Sequence, residues 1–319
     1  DDGNVPFDFN RGYPLGGLYI ENSSYVQLAD HADNSTGTGA ESLYLDRLVV
    51  SAGTTLNLDL LHLYTRTISI DGTILGGSVN PIPDGGPIHI NAPTSGAIAV
   101  EGEVDEWTFF GRTGRGITVI ANPGTDGTFP PLEPTLDYAD IHIFDPNENL
   151  LATGSSGSAG EIVTLLGIEL PEEGIYRIQV GAPTLHPTSR GNYKLSVWDA
   201  TVNVAPLVFN QQVTGVVDTA YSVDRWTFSA LANQQVRFDW IASSNSSVRF
   251  KLSGPNAWTG FTNLAGDSGL ITLPESGAYA LEAYSSGEQG GSYSFQLLET
   301  VQTNLELGTT YAGTFIGSG

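Results

Sequence analysis

Four short stretches of this sequence hold residues whose types and spacing could do chemistry. The tetrapeptide GDSG at Gly266–Gly269 is the surround of an acylating serine, a chemistry that also needs a histidine base and a carboxylate to orient it. The five histidines are His31, His62, His89, His142 and His186, so none lies in the same stretch of chain as Ser268. A Gly/Asp/Ser turn accounts for the same letters. DPNENL at Asp145–Leu150 opens like a calcium loop, with Asp145 and Asn147 as alternate oxygen donors. Leu150 stands where that loop needs glycine, and Ser156 where it needs glutamate. DHAD at Asp30–Asp33 offers two carboxylates and an imidazole within a polar loop. Trp258, with Phe261 close by, sits in a Gly/Pro/Asn-rich loop from which an aromatic face could stack on a sugar ring.

The chain that must position these groups has 319 residues, 40% hydrophobic, with 35 acidic against 12 basic residues and a formal net charge of −23. That length and apolar content suffice for two or three cores. The acidic balance repels phosphate backbones and anionic lipid heads, which argues against nucleic acid as a partner, and no run approaches the roughly 18 apolar residues that a membrane-inserted helix requires. Cysteine and methionine are both absent, excluding disulfides, thiolate metal sites and cysteine nucleophiles. The opening DDGNVPFDFN has neither the basic start nor the apolar core of a signal peptide, so the sequence reads as a mature product or a piece of something longer.

Apolar residues alternate with polar ones in short runs such as IHIFD, IYRIQV, YKLSVW and SYSFQLLE, separated by Gly, Pro, Asn and Ser clusters. This is the pattern of strands and turns, and it predicts an all-β fold. Within it the chain repeats itself. Asp105-x-Trp107-x-Phe109 returns as Asp224-x-Trp226-x-Phe228, LPEEGIYRIQV (170–180) as LPESGAYALEA (273–283), and GNYKLSVW (191–198) as GSYSFQLL (291–298). The offsets are 119, 103 and 100, so the order holds while the loops shorten. Side chains two apart on a strand share a face, which places each Trp–Phe pair in a core rather than on a ligand platform. Each repeat has the apolar faces for one β-sandwich.

In that order of motifs the chain resembles the bacterial pre-peptidase C-terminal (PPC) domain, a jelly-roll-like β-sandwich of secreted peptidases and large exported proteins. The resemblance covers 91–200 and 205–300, the expected first and second sandwiches. It implies a secreted, extracellular or cell-surface bacterial protein and permits a calcium site, for which Asp105 joins Asp145 and Asn147 as the metal candidates. The family often places a second acidic residue beside the first; here the neighbours are Glu106 in the first copy and Arg225 in the second.

Two further segments flank the repeats. Residues 1–90 hold two β–turn–β units whose turn glycines, Gly53 and Gly72, are 19 residues apart, close to one coil of a β-solenoid. Both the last coils of a solenoid and an ordinary small sheet fit that pattern. Residues 304–319 parallel the entry strands of the second repeat and read as the start of a truncated third. Leu305, Leu307, Tyr311 and Phe315 are its candidate assembly residues, since an unpaired strand is a template for association.

The expectation is therefore two tandem jelly-roll-like sandwiches after a small solenoid-like or sheet segment. The function expected is non-enzymatic: a structural or interaction segment whose partners are copies of itself or neighbouring repeats. The alternative is a carbohydrate-binding or adhesive module for extracellular glycans, centred on Trp258 and Phe261. No cofactor is required in either case beyond the calcium that the resemblance permits.

Overall fold

In a computed structural model, residues 15–31, 41–124, 127, 129–287, 289–300 and 306–313 are described. The first seven strands are β1 (Leu18–Ile20), β2 (Tyr25–Gln27), β3 (Ser42–Val50), β4 (Thr55–Asn57), β5 (His62–Ile70), β6 (Thr73–Leu75) and β7 (Val79–Pro81). They form two sheets, β1-β3-β5-β7 and β2-β4-β6, in which every recorded pairing is parallel. Successive strands of the chain alternate between the two sheets, so the segment is a stack of solenoid coils rather than a hairpin sheet. Leu48 lies beside Ile68, and Leu18 beside Leu48. Leu45, Leu48, Val50, Leu56, Leu58 and Leu63 fill the interior of the stack. Tyr44 and Tyr64 are register partners and stack ring on ring at 5.3 Å, one rung of the ladder. Gly72 tucks under the preceding turn, where a Cβ would come 2.6 Å from the Ser51 and Thr54 carbonyl oxygens.

The next nine strands are β8 (Gly85–Pro87), β9 (Ala92–Ile98), β10 (Val104–Gly111), β11 (Gly116–Asn122), β12 (Asp140–Phe144), β13 (Leu150–Ser155), β14 (Val163–Glu169), β15 (Gly174–Gly181) and β16 (Gly191–Asp199). They build sheets ordered β8-β10-β15-β12-β13 and β9-β16-β11-β14. The last nine are β17 (Val202–Pro206), β18 (Gln212–Val217), β19 (Val223–Ala230), β20 (Gln235–Ser243), β21 (Val248–Ser253), β22 (Thr259–Leu264), β23 (Ile271–Thr272), β24 (Gly277–Ser285) and β25 (Gly291–Thr300). Their sheets run β17-β19-β24-β21-β22 and β18-β25-β20-β23.

Strand for strand, these are the same two sheets. β17 takes the place of β8, β19 that of β10, β24 that of β15, and so through all nine. The repeated motifs fall on the same elements in both copies. Inward residues alternate along them as a two-residue period requires: Ile141 and Ile143 on β12, Tyr176, Ile178 and Val180 on β15, Tyr279, Leu281 and Ala283 on β24 are all buried. The fold is all-β, and among the described residues no helix is long and apolar enough to cross a membrane.

Compactness divides the chain differently from the motifs. One unit comprises 1–114 with 118–198, the other 115–117 with 199–319. The coil stack and the first sandwich belong to the same unit, and the second sandwich stands in the other.

Of the segment expected to open a third repeat, 304–319, only 306–313 are described. Residues 306–313 contain a turn at Leu307–Gly308 and no strand. Gly308 has φ 91°, as Asn210 (63°) and Asn91 (69°) do in the turns that open the second and first sandwiches. Five residues after each comes a glycine: Gly96, Gly215 and Gly313. The strand that follows such a turn is made by pairing with the last strand of its own sandwich, β9 with β16 and β18 with β25. The described residues offer 306–313 no counterpart of those last strands, and the expected entry strand is not formed there.

Candidate functional site

The duplicated aspartates, tryptophans and tyrosines meet inside the sandwiches. Asp105 and Trp107 project inward from β10, and Tyr193 from β16 in the facing sheet. The Trp107 indole N–H donates to the Tyr193 hydroxyl at 2.7 Å, and that hydroxyl donates to Asp105 Oδ2 at 2.6 Å. In the second copy the Trp226 indole donates to Tyr293 at 2.9 Å, and Tyr293 to Asp224 Oδ2 at 2.7 Å. Each tyrosine oxygen thus accepts one bond and donates one, tying the two sheets together across the core. Burial, with the neighbouring carboxylate, pushes both tyrosine hydroxyls up, Tyr193 far above its ordinary range, so they stay protonated donors.

Space for each hydroxyl is made by a glycine. A Cβ on Gly96 would lie 2.4 Å from Tyr193 Cζ and hydroxyl, and one on Gly215 would lie 2.3 Å from the Tyr293 hydroxyl. Both glycines stand nine residues before their aspartate. A second device is also duplicated: Tyr176 donates to the Glu172 carbonyl and Tyr279 to the Glu275 carbonyl, each at 2.8 Å and four residues back. These are tyrosine corners, and they explain the Leu-Pro-Glu-x-Gly-x-Tyr pattern.

The expected metal residues are not brought together. Asp105 is wholly buried, its Oδ2 committed to Tyr193. Asp145 closes its own turn: its Oδ1 accepts the N–H groups of Asn147 at 2.9 Å and Asn149 at 2.8 Å. The Asn149 side chain, first, and these backbone donors hold the Asp145 carboxyl below its usual range. Asn147 turns away to Glu172. The same turn recurs in the second copy, where Asn256 donates to Glu275 at 2.8 Å and the Gly254 N–H donates to the Trp258 carbonyl at 2.9 Å, as Asp145 does to Asn149. Among the described residues no three histidine, aspartate or glutamate side chains converge to hold a metal ion. Asp33 of the DHAD stretch lies outside the described residues.

Trp258 occupies the place that Asn149 holds in the first copy. It is half-buried, packing edge-on against Tyr279 at 5.7 Å, while Phe261 faces Leu252 across β21 and β22 and packs on Phe238 at 5.7 Å. Both belong to the margin of the second core. Ser268 is committed to structure: it accepts the Phe238 N–H at 2.8 Å and donates to the Gly269 carbonyl. Neighbouring Asp267 accepts the Trp240 N–H at 2.8 Å. Of the assembly candidates, Leu305 and Phe315 lie outside the described residues. Leu307 is fully exposed, and half-exposed Tyr311 accepts the Glu306 N–H at 2.9 Å.

Sequence reasoning found the Trp–Phe pairs as core but missed the hydroxyl bridge. Its signal was present: the nine-residue Gly-to-Asp spacing occurs in both copies, and a glycine inside a strand marks a close approach by another group.

No protein-family model matches this chain, and no curated protein matches it. Solved structures similar to it include the pre-peptidase C-terminal domain of a collagenase from Bacillus anthracis, 16% identical over 37% of this chain and 98% of that one, at a TM-score of 0.27. PliG, a periplasmic inhibitor of g-type lysozyme from Aeromonas hydrophila, is 20% identical over 30% of this chain and 96% of its own, at 0.24. CorA, a surface-associated copper-binding protein from Methylomicrobium album BG8, is 10% identical over 36% and 98%, at 0.26. Values this low carry no activity or ligand across to this chain.

Proposed function

We propose that this chain is a non-enzymatic structural segment of a secreted or cell-surface β-repeat protein, a spacer of stacked coils and two like sandwiches. One observation carries the reading: the residues with most chemical potential, Asp105, Trp107, Tyr193 and their second-copy equivalents, are spent on the same interior bonds in both sandwiches. The fixed hydroxyls of Ser268 and the tyrosine corners support it. The partners proposed are copies of the same chain or neighbouring repeats, meeting at sheet edges. β17 is such an edge, with Val202 and Val204 exposed along it.

The glycan-binding alternative rests on Trp258 and Phe261, with calcium as its aid. Sedimentation of the purified chain over a range of concentrations, together with retention on insoluble polysaccharides with and without calcium, separates the two. The spacer reading expects concentration-dependent association and retention no greater than that of Trp258→Ala. Retention lost in Trp258→Ala, by a protein that stays monomeric, would replace it with the glycan reading.

A further inference from the structure

We propose that Asp84 and Asp105 hold one proton between them, forming a carboxyl–carboxylate clasp that fastens β8 to β10 in the first sandwich. The second sandwich makes the same fastening with an amide. There β17 runs parallel to β19 with Asn203 beside Asp224, and the Asn203 amide donates to Asp224 Oδ1 at 3.0 Å. In the first sandwich β8 runs parallel to β10 with Gly85 beside Glu106, so the residues one step earlier, Asp84 and Asp105, take the places of Asn203 and Asp224. The spacing is 21 residues in both copies.

Substituting a carboxyl for the amide removes the donor, and the structure records the consequence. Asp105 is fully buried, and its Oδ1 has no hydrogen-bond partner of ordinary geometry; the Asp84 N–H lies near the carboxyl and favours its charged form, against the larger effect of burial. Asp84 Oδ2 accepts the Ala97 N–H at 2.8 Å. A protonated Asp84 would keep that bond and offer its other oxygen's proton to Asp105, as the Asn203 amide does to Asp224. Which carboxyl holds the proton at a given moment is a property of the pair.

The surrounding charges come from every neighbouring element. Arg66 on β5 bonds the Gly85 carbonyl and lies 3.6 Å from Asp46 on β3. The Glu103 carboxylate accepts the Ala99 and Val100 N–H groups, and Tyr193 reaches in from β16. Burial is the largest influence on both aspartates, pushing Asp105 up to about 8 and Asp84 up to about 6; the Glu103 charge adds to it, while Tyr193 opposes it at Asp105 and Ala97 opposes it at Asp84. The Arg66 guanidinium, which pulls Asp84 back down, already supplies positive charge beside the pair and makes a metal cation a poor occupant. The folded protein therefore keeps a proton at pH values where the unfolded chain has lost it. With those values the pair holds its single proton between about pH 6 and 8 and takes up a second below that; the stability linked to its protonation is fully present below about pH 4 and is lost as pH rises toward about 8.

The test is thermal unfolding of the whole chain at pH 5 and pH 9, with Asp84→Asn and Asn203→Asp, and hydrogen exchange to locate each effect. Asp84→Asn should raise the pH 9 midpoint by several degrees relative to its effect at pH 5, since each kcal/mol moves a domain of this size by about 2–4 °C. Asn203→Asp should give β17 and β19 a new, pH-dependent loss of protection. Equal effects of Asp84→Asn at both pH values, or no pH dependence in Asn203→Asp, would overturn the clasp. Stabilisation of the wild type by calcium at pH 9, absent in Asp84→Asn, would put a cation in the proton's place and also overturn it. Should either variant fail to fold, carboxyl carbon NMR of the wild type decides: Asp84 and Asp105 both titrating near 4 contradict the shared proton.

Discussion

Gly215 stands so close to Tyr293 that any side chain there would meet the hydroxyl that bridges Trp226 and Asp224. Gly96 stands to Tyr193 in the same way. The repeated motif is therefore larger than its aromatic letters: glycine, aspartate and tryptophan on the first part of each repeat, and tyrosine on its last strand, form one interior assembly. Neither glycine needs a left-handed backbone, so the requirement is room alone.

Alanine at Gly96 or Gly215 should consequently cost about 1–3 kcal/mol, as overpacking of a filled core does. Each loss should stay within its own sandwich. Chemical denaturation with hydrogen exchange by mass spectrometry would resolve the two.

Removing the bridging oxygen should cost more than removing a corner hydroxyl. Tyr193→Phe and Tyr293→Phe each leave a buried indole N–H and a carboxylate oxygen without their partner, at about 2 kcal/mol or more. Tyr176→Phe and Tyr279→Phe each lose one bond to a backbone carbonyl, worth about 1 kcal/mol. Urea midpoints of the four variants give the order.

Asp145 titrates against the direction of the buried pair. The Asn149 side chain and the backbone donors favour its charged form, so its contribution is present above the ordinary carboxylate range and is lost as pH falls through its depressed folded value. In Asp145→Ala the amides of Asn147 and Asn149 should exchange faster at neutral pH, and that difference from the wild type should shrink on acidification.

Truncating the coil interior should be severe and local. Leu48→Ala removes a fully buried side chain between stacked strands and should cost about 2–5 kcal/mol. Protection should fall across β3 and β5 while β19 and β24 keep theirs.

Much of this architecture was legible in the sequence. Two-residue alternation gave the strands, and the recurrence of Asp-x-Trp-x-Phe gave the pair of sandwiches, because burial of one sheet face leaves that imprint on every strand. The coil segment was legible only as an alternative: a glycine spacing of 19 fits a solenoid or a sheet, and parallel pairing between strands some 20 residues apart decides it. Partnerships between distant side chains left weaker traces. The Asp105–Tyr193 bond spans 88 residues and its counterpart 69, since intervening loops change length without moving either strand. The reading of Asp145 and Asn147 as calcium donors came from letters that a polar turn also requires. Asp84 could be found only through register, by laying β8 over β17.

The most direct measurement is exchange of the five tryptophan indole protons, followed by NMR. If the duplicated motif is an interior bond, the Trp107 and Trp226 indoles exchange only with unfolding of their sandwiches and are the slowest of the five, with the half-buried Trp258 indole far faster. Exchange of Trp107 and Trp226 at the rate of Trp258 would contradict the bridge, and with it the structural role assigned to the repeat.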